Sequence, residues 1–220
     1  MAVHIERFEP SRTALIVVDM ENDFVAEGAP METPAGREMI PRLREAIEHA
    51  RDVGIRVLYT THTHRAGGCD LGRHRDLWAP IATGAGCVDD TPGIEIYKEI
   101  APAEDEIVIR KRRYSAFFGS DLDIVLRGWG IDTVVVSGVT TENCCHATAR
   151  DAFYRDYRVA FLSDATATFD YPDIGQGAMS AAEVHRATLI VLAASTAHVM
   201  STAEFCARSE VPVEAVAAVG

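Results

Sequence analysis

The chain has 220 residues, of which 48% are hydrophobic and 25% are charged, and its formal net charge is −12 at pH 7. This length is sufficient to bury a core without disulfides or metal ions, so a single domain spanning residues 1–220 is predicted. The excess of acidic residues excludes the nucleic-acid-binding and anionic-membrane-binding classes, because both need an excess of Lys and Arg.

Two further features of the sequence indicate the compartment. The opening MAVHIERFEP lacks the long apolar stretch of a secretory signal, and no apolar run reaches the roughly 18 residues that a membrane-spanning helix needs. The five cysteines do not have the spacing of a disulfide framework or a zinc ribbon. The sequence therefore predicts a cytoplasmic protein with reduced thiols and with no membrane or nucleic-acid partner.

Short apolar β-branched runs alternate with stretches of helical periodicity along the chain. The apolar runs predict six strands, at residues 14–19, 55–61, 106–110, 132–139, 158–165 and 197–202. The helical stretches predict helices at residues 36–54, 120–130, 144–157 and 180–195. Ser180 and Glu183 have the spacing of a capping box, and residues 62–100 are predicted to be mostly loop because Gly and Pro are scattered through them.

Strands that are apolar along their whole length and are separated by helices indicate a parallel sheet covered on both faces. The predicted fold is therefore α/β, a three-layer α/β/α sandwich around a mostly parallel, Rossmann-like sheet of six strands. Ligands of such sheets bind beyond the carboxyl ends of the strands. The residues that directly follow the strands are thus the candidates for chemistry.

Three reactive side chains stand at the ends of three predicted strands. Asp19 closes the first strand, Lys111 follows residues 106–110, and Cys144 follows residues 132–139 after a short turn. Taken singly, such an Asp usually caps a turn, such a Lys is usually solvated, and a Cys is usually a small buried hydrophobe. Because parallel strands bring their carboxyl ends to one edge of the sheet, the three groups together predict a catalytic site.

The stretch TTENCCHATARDAF places two cysteines side by side at the start of a predicted helix. Helical spacing puts Cys145 on one face with Ala149, Ala152 and Phe153, which predicts that Cys145 belongs to the core. Cys144 lies off that face in the first turn, where the helix dipole and a nearby ammonium would lower the pKa of a thiol. Cys144 is therefore the predicted nucleophile.

Three segments of the chain resemble the motifs of the isochorismatase-like cysteine hydrolases, and look most similar to the ureido and carbamoyl amidohydrolases among them. GVTTENCCHATARDA resembles the cysteine loop of that superfamily, in which a Gly precedes the nucleophile by six residues, as Gly138 precedes Cys144. LIVVDMENDF resembles the segment with the catalytic Asp, here Asp19, and IRKRRYSAFFGSDLD resembles the segment with the catalytic Lys, here Lys111. The superfamily includes nicotinamidases, N-carbamoylsarcosine amidase, ureidoacrylate amidohydrolase and biuret hydrolase.

The resemblance implies a mechanism and an assembly. Cys144 would attack an amide carbonyl as a thiolate and form an acyl-enzyme, Asp19 would carry the thiol proton to the leaving amine, and Lys111 would hold the two together. A cis peptide bond between Val139 and Thr140 would turn the N–H groups of Thr140 and Cys144 toward the oxyanion. Members of the superfamily are commonly dimers or tetramers, which implies a homo-oligomer.

The resemblance also implies the class of substrate, a small linear urea-type amide with a ureido, carbamoyl or biuret-like group that releases ammonia. The candidate substrate-binding residues are Phe24, Arg113, Tyr114, Phe117, Gln176 and Glu183. Arg113 would recognise a substrate carboxylate. The alternative roles are core packing for the aromatic residues, a loop polar group for Gln176 and a helix cap for Glu183.

Two alternative functions stay open. Nicotinamidases of the superfamily bind a metal through an Asp-x-His pair and a second His. Here His62, His64 and His74 are present but no Asp lies two residues before His64, so no metal and no cofactor are expected, although neutral imidazoles can bind Zn²⁺. A nicotinamidase or another small-amide hydrolase is the first alternative. A non-catalytic redox sensor built on Cys144 and Cys145 is the second, although adjacent cysteines on a helix point apart.

Overall fold

The computed structural model describes residues 4–209, so the ends of the predicted domain, residues 1–3 and 210–220, lie outside the described residues. One six-stranded sheet forms its centre. Within residues 4–209, no helix has the length and apolar composition that are needed to cross a lipid bilayer.

Every pair of neighbouring strands in the sheet is parallel. The strands are β1 (Thr13–Val18), β2 (Arg56–His62), β3 (Ile107–Lys111), β4 (Thr133–Val139), β5 (Arg158–Ala167) and β6 (His198–Met200). Their order across the sheet is β3-β2-β1-β4-β5-β6. The predicted six-stranded α/β/α architecture is therefore confirmed, with most strand boundaries shifted by one or two residues.

α-Helices connect and follow the strands. Within the described residues they are α1 (Asn22–Val25), α2 (Pro34–Glu38), α3 (Ile40–Val53), α4 (Ala79–Thr83), α5 (Leu122–Gly128), α6 (His146–Phe153), α7 (Ala181–Ser195) and α8 (Thr202–Ser209). The helix predicted at residues 36–54 is divided at Met39 into α2 and α3. The helix predicted at residues 144–157 starts as a π-helical turn at Thr141–Cys145 and continues as the shorter α6.

Helix α8 was not predicted from the sequence, although its start carries a local signal. Ser201 Oγ accepts a hydrogen bond from Glu204 N at 3.2 Å, and Glu204 Oε2 accepts one from Ser201 N at 2.9 Å. This is a capping box, the same device that the predicted pair Ser180 and Glu183 forms at the start of α7. The spacing of Ser201 and Glu204 would therefore have found the helix.

The sheet buries one hydrophobic cluster on each face, as a three-layer sandwich requires. Leu15 and Val17 of β1 belong to the cluster covered by α3 and α8, whereas Ile16 and Val18 belong to the cluster covered by α5, α6 and α7. Successive residues of a strand point to opposite faces, and both faces are covered here. This is why β1 is buried along its whole length and has a continuous apolar sequence.

The carboxyl ends of the central strands meet at one edge of the sheet. Val18 at the end of β1 pairs with Thr60 of β2 on one side and with Gly138 of β4 on the other. His62 at the end of β2 pairs with Lys111 at the end of β3. A Cβ atom on Gly138 would lie 2.1 Å from the carbonyl oxygen of Val18, and the φ of Gly138 is +105°, so this position requires glycine.

Candidate active site

The three reactive side chains that were predicted at the strand ends meet at Lys111, which contacts both Asp19 and Cys144. Its Nζ atom lies 2.7 Å from Asp19 Oδ2 in an ion pair and 3.2 Å from Cys144 Sγ. Nζ also donates a hydrogen bond to the carbonyl oxygen of Arg113 at 3.0 Å. The side chain of Lys111 is buried, with 1% of its surface exposed, and Cys144 is 4% exposed. The fold thus brings a carboxylate, an ammonium and a thiol into contact away from bulk water.

The local backbone presents Asp19 to this contact. Asp19 follows β1 with a φ of +50°, a left-handed conformation that Asp tolerates better than most residues. Thr60 of β2 donates a hydrogen bond from Oγ1 to Asp19 Oδ1 at 2.6 Å. The other oxygen, Oδ2, accepts no hydrogen bond within the described residues and faces the ammonium of Lys111. The sequence analysis did not identify Thr60 as part of the site.

The pKa of the thiol differs from the sequence-based expectation. Burial raises the pKa of Cys144 well above its ordinary value, and the opposing effect of the Lys111 ammonium is smaller. Burial alone would lower the pKa of Lys111, but Asp19 and Cys144 outweigh it and raise that pKa, so the ammonium stays charged. The prediction of a lowered thiol pKa at Cys144 is therefore wrong, because the desolvation of a thiolate was not included in it.

The two adjacent cysteines have different surroundings. Cys145 Sγ lies 3.6 Å from the carbonyl oxygen of Ser137, and the residue packs in the core with Ala149 and Ala152, so its predicted core position is confirmed. Phe153, which was expected on the same buried face, is 42% exposed because α6 ends there. Cys144 Sγ instead contacts Lys111 on the other side of the chain.

A cavity of about 20 Å³ lies over Cys144. It is lined by Phe24, Met31, His62, Trp78, Ile81, Tyr114, Thr140, Asn143, Cys144 and Phe169. Two of the candidate substrate-binding residues, Phe24 and Tyr114, are in this lining. Both residues expected at the oxyanion, Thr140 and Cys144, are also there, and the peptide bond between Val139 and Thr140 is cis.

The structure does not bring the other four candidate substrate-binding residues to the cavity. Phe117 packs in the core against Tyr157, with 5.8 Å between the ring centroids. Arg113 donates hydrogen bonds from Nη1 to the carbonyl oxygens of Asp70 and Arg112, at 2.9 and 2.5 Å, so its guanidinium binds protein backbone.

The last two, Gln176 and Glu183, lie outside the cavity for local reasons. Gln176 is exposed in the loop before α7. Glu183 accepts hydrogen bonds from Ser180 as the third residue of a capping box. The helix-cap alternative for Glu183 is the one that the structure supports.

Two aromatic residues that the sequence analysis did not select form the outer wall of the cavity. Trp78 and Phe169 meet edge to face with their ring centroids 5.8 Å apart. Trp78 Nε1 donates a hydrogen bond to Tyr114 Oη at 2.7 Å. Trp78 comes from the loop-rich segment and Phe169 from the segment after β5, so no local pattern connects them.

A cluster of three histidines lies beside the thiol. One ring nitrogen from each of His62, His64 and His74 lies within 4.8 Å of the other two, and all three residues are buried. Burial lowers the pKa of His62 and His64, and lowers that of His74 to about 4, so the rings are neutral at physiological pH. The buried Nδ1 atoms of His64 and His74 have no hydrogen-bond partner within the described residues.

This cluster has the chemistry of a divalent-metal site. Neutral imidazole nitrogens are the preferred ligands of Zn²⁺ and of several other transition metals. His62 also lies next to Cys144, with its Nδ1 atom 3.9 Å from Cys144 Sγ. His62 stands two residues before His64, at the position where the nicotinamidase pattern has Asp. The three imidazoles therefore fit a metal ion.

Glu142 fixes the turn that carries Cys144, the predicted nucleophile. Its Oε1 atom accepts hydrogen bonds from Thr140 Oγ1 at 2.9 Å, from Asn143 Nδ2 at 2.9 Å and from Tyr171 Oη at 2.6 Å. Tyr171 belongs to the segment after β5, so the network joins the π-helical turn to that segment. Cys144 is therefore held on a supported turn and not on a free loop.

Glu21 is a second buried acid near Asp19, Lys111 and Cys144. Its Oε2 atom accepts a hydrogen bond from the backbone N–H of His62 at 3.0 Å. Burial raises the pKa of Glu21 well above its ordinary value, the Asp19 carboxylate adds to the rise, and Lys111 opposes it. The protonated form of Glu21 is thus favoured beside Asp19, and its contact with His62 ties the segment after β1 to the end of β2.

Comparisons with known proteins agree with this geometry. A family model described as Isochorismatase domain matches residues 13–204. A protein of Arabidopsis thaliana described as a probable inactive nicotinamidase is 35% identical over 162 residues, which is 70% of this chain and 80% of that protein. Ureidoacrylate amidohydrolase RutB of Serratia proteamaculans is 31% identical over 180 residues, 72% of this chain and 71% of that protein.

A solved structure gives the same fold. The cysteine hydrolase from Pseudomonas syringae pv. phaseolicola superposes with a TM-score of 0.90 at 36% sequence identity, covering 94% of this chain and 96% of that chain. The matched region of the family model runs from β1 into α8 and includes every strand end that carries the site. The chain therefore belongs to the isochorismatase family, and it is an amidohydrolase that acts on C–N amide bonds.

Proposed function

We propose that the protein hydrolyses a small urea-type amide through a covalent intermediate on Cys144. The observation that carries this proposal is the position of Lys111 Nζ, 2.7 Å from Asp19 Oδ2 and 3.2 Å from Cys144 Sγ. A nucleophile and a proton carrier that both contact one fixed positive charge are the parts that amide hydrolysis by a thiol needs. The name of the RutB relative, a ureidoacrylate amidohydrolase, supports the ureido class of substrate.

In the first step, Cys144 Sγ bonds to the carbonyl carbon while its proton passes to Asp19. Because burial raises the pKa of the thiol, the proton leaves as the new bond forms and not before. Lys111 keeps its charge and stabilises the carboxylate–thiol pair throughout. The backbone N–H groups of Thr140 and Cys144 are the proposed oxyanion donors, and one such donor typically contributes a factor of about 10²–10³ in rate.

In the second step, the proton on Asp19 goes to the leaving nitrogen, the C–N bond breaks and ammonia departs. A carbamoyl thioester remains on Cys144. Water then attacks this carbonyl carbon while Asp19 takes a proton from it. The C–S bond breaks, and Asp19 returns the proton to the departing sulfur, which restores the thiol of Cys144. The product carbamate decomposes to an amine and carbon dioxide, so the reaction consumes water and needs no oxidant or reductant.

A nicotinamidase or another small-amide hydrolase of the family is the second candidate. The three-histidine cluster favours it, because nicotinamidases of the superfamily bind a metal in this region of the chain. When bound to His62, His64 and His74, a divalent cation would supply a Lewis acid beside the thiol. The redox-sensor alternative is not retained, because the chain is an amidohydrolase and the two sulfur atoms face different partners.

Ammonia release from a panel of amides tests the proposal. The panel contains biuret, triuret, N-carbamoyl amino acids, ureidoacrylate, nicotinamide and maleamate. We expect the wild-type enzyme to release ammonia from at least one urea-type member, and Cys144→Ala to release none. Cys145→Ala is the matched control, because it removes the neighbouring thiol from the core and should keep turnover.

Each result has a separate meaning. Turnover of nicotinamide alone would move the protein to the second candidate function. Activity that survives in Cys144→Ala would overturn the covalent mechanism. Mass spectrometry of the acid-quenched enzyme should show the carbamoyl adduct in the wild type and in Cys145→Ala, and its absence under turnover would also contradict the mechanism.

A further inference from the structure

The cavity over Cys144 is too small for a complete substrate. Its volume is about 20 Å³, whereas one water molecule already needs about 10–15 Å³ by the same kind of measure. Most of its wall is apolar or aromatic, and its polar groups are near the nucleophile, on His62, Thr140 and Asn143. A carbonyl or an amino group would fill this space, so the rest of the substrate must lie beyond the wall.

A larger apolar hollow lies directly on the other side of that wall. It has a volume of about 260 Å³ and is lined by Pro30, Met31, Glu32, Trp78, Pro80 and Phe169. Three of these residues, Met31, Trp78 and Phe169, also line the cavity over Cys144. Met31, Trp78 and Phe169 therefore form a boundary that the two spaces share.

Among the described residues, the one acid that lines the hollow, Glu32, is already paired with a cation. Glu32 accepts hydrogen bonds from Arg37 at 2.5 Å and from the backbone N–H of Gly28 at 2.9 Å. The surface that remains for a ligand consists of two prolines, a methionine and the two aromatic rings of the wall. A polar molecule such as biuret would gain little from this mostly apolar surface, because the Glu32 carboxylate already accepts hydrogen bonds from Arg37 and Gly28.

Neither space offers a cation to a substrate carboxylate. The linings contain no Lys or Arg among the described residues. Lys111 is occupied by Asp19 and Cys144, and Arg113 donates to backbone carbonyl oxygens. An uncharged substrate is thus the one that this site matches.

We propose that the hollow beside Trp78 and Phe169 is a substrate subsite, which receives a flat apolar substituent carried by an uncharged amide. The inference rests on the proposed function and narrows its substrate class from fully polar ureas to aryl- or aralkyl-substituted ones. Rotation of the Trp78 and Phe169 rings joins the two spaces, so that the substituent stacks on the rings while the carbonyl reaches Cys144. The released group is ammonia, and the apolar substituent leaves on the carbamate.

Methylurea and benzylurea test this subsite because they share the scissile group and differ in the ring. We expect the kcat/KM of the wild-type enzyme for benzylurea to exceed that for methylurea by about tenfold or more. One aromatic contact, together with the apolar area that it buries, is sufficient for a ratio of this size. Trp78→Ala and Phe169→Ala should each reduce this ratio several-fold. Trp78→Phe keeps a ring but loses the hydrogen bond to Tyr114, and it should retain most of the ratio.

Leu77→Ala is the matched control. Leu77 is adjacent to Trp78 but 67% exposed and outside both linings, so the ratio should stay at the wild-type value. A wild-type ratio near one, or a ratio that neither Trp78→Ala nor Phe169→Ala changes, would overturn the subsite. Turnover of biuret without turnover of either substituted urea would overturn the subsite alone, whereas no turnover of any amide would overturn the proposed function as well.

Discussion

Thr60 Oγ1 lies 2.6 Å from Asp19 Oδ1, and this hydrogen bond sets the direction of the carboxylate. The same hydroxyl accepts the backbone N–H of Asp19 at 3.2 Å. Thr60 pairs with Val18 in the sheet, so the residue that follows Val18 necessarily passes beside the Thr60 side chain. With Oδ1 held in this way, Oδ2 is left to face Lys111 and, in the proposed mechanism, to receive the thiol proton.

We therefore expect Thr60→Val to reduce kcat by about 10- to 100-fold, because a misdirected carboxylate loses efficiency in proton transfer. It should also lower the free energy of unfolding by about 1–3 kcal/mol, since Asp19 Oδ1 would be buried without a donor. Thr61→Val is the matched control, because Thr61 is equally buried but its hydroxyl has no hydrogen-bond partner within the described residues. Equal kinetics for the two variants would contradict a positioning role for Thr60.

The ion pair between Lys111 and Asp19 predicts a distinct pattern of stability. Lys111→Met should abolish turnover and lower the free energy of unfolding by about 3–5 kcal/mol, because it leaves the buried Asp19 carboxylate without its partner. The double variant Lys111→Met/Asp19→Asn should regain much of this stability but no activity. Lys98, the other lysine of the chain, is exposed, and Lys98→Met should change neither quantity. Chemical denaturation measures the free energy of unfolding, and ammonia release measures turnover. A Lys111→Met variant as stable as the wild type would contradict the stabilising role of the Lys111–Asp19 ion pair.

The acid-dependent part of the stability should come in part from Asp89. Hydrogen bonds from Arg112 lower the pKa of Asp89 from its ordinary value of 3.8. Arg112 Nη1 and Nη2 contact the two carboxylate oxygens at 2.8 and 2.9 Å, in a bidentate pair next to Lys111. Because the folded pKa is the lower one, the stabilisation is present above the unfolded pKa and is lost as the pH falls through the folded pKa.

Asp89→Asn should accordingly lower the free energy of unfolding by about 1 kcal/mol at pH 7, after allowance for the partial exposure of the pair. The difference from the wild type should shrink toward zero as the pH falls to about 2. Asp90→Asn is the control, because the Asp90 side chain is 79% exposed and, within residues 4–209, its ion pair is with Arg110 and not with Arg112. Urea denaturation across this pH range measures the effect, and a difference that grows in acid would have the wrong sign for this explanation.

The histidine cluster predicts binding of one divalent cation. Since burial keeps the pKa of His74 at about 4, its ring is free of a competing proton at pH 7. Zn²⁺ at 100 times its dissociation constant should stabilise the wild-type fold by about 2.7 kcal/mol and raise its Tm. The His64→Ala variant should lose this Tm shift. The His4→Ala variant should keep it, because His4 is exposed and distant in sequence from the three histidines. Calorimetric titration without any uptake of Zn²⁺ would show that the three rings only pack together.

Several parts of this structure could be predicted because their signals are local. The continuous apolar sequence of β1 and β4 indicates strands covered on both faces, and it places Asp19 and Cys144 at one edge of a parallel sheet. The separation of Cys144 from Cys145 follows from helical spacing, although the turn is π-helical and the stripe ends before Phe153. Gly138, which the cysteine-loop motif marked by its spacing from Cys144, is required because a Cβ atom there would clash with the backbone of Val18.

Other parts failed in prediction because they depend on groups that are distant in the chain. Arg113 is a plausible carboxylate ligand by residue type, but the fold gives its guanidinium two carbonyl oxygens instead. Trp78 and Phe169 are 91 positions apart, and only the closure of two loops makes them one wall. The pKa of Cys144 depends on how completely the fold removes water, which a list of neighbouring charges does not include.

The sequence by itself determined the parallel sheet, the edge at which chemistry takes place and the three reactive groups there, since apolar runs must be buried and parallel strands must end together. Only the tertiary structure decided which hydroxyl orients Asp19, that three histidines meet beside the thiol, and which aromatic rings close the cavity. The physical reason is that periodicity reports burial within one element, whereas hydrogen bonds, desolvation and cavities are properties of several elements packed together.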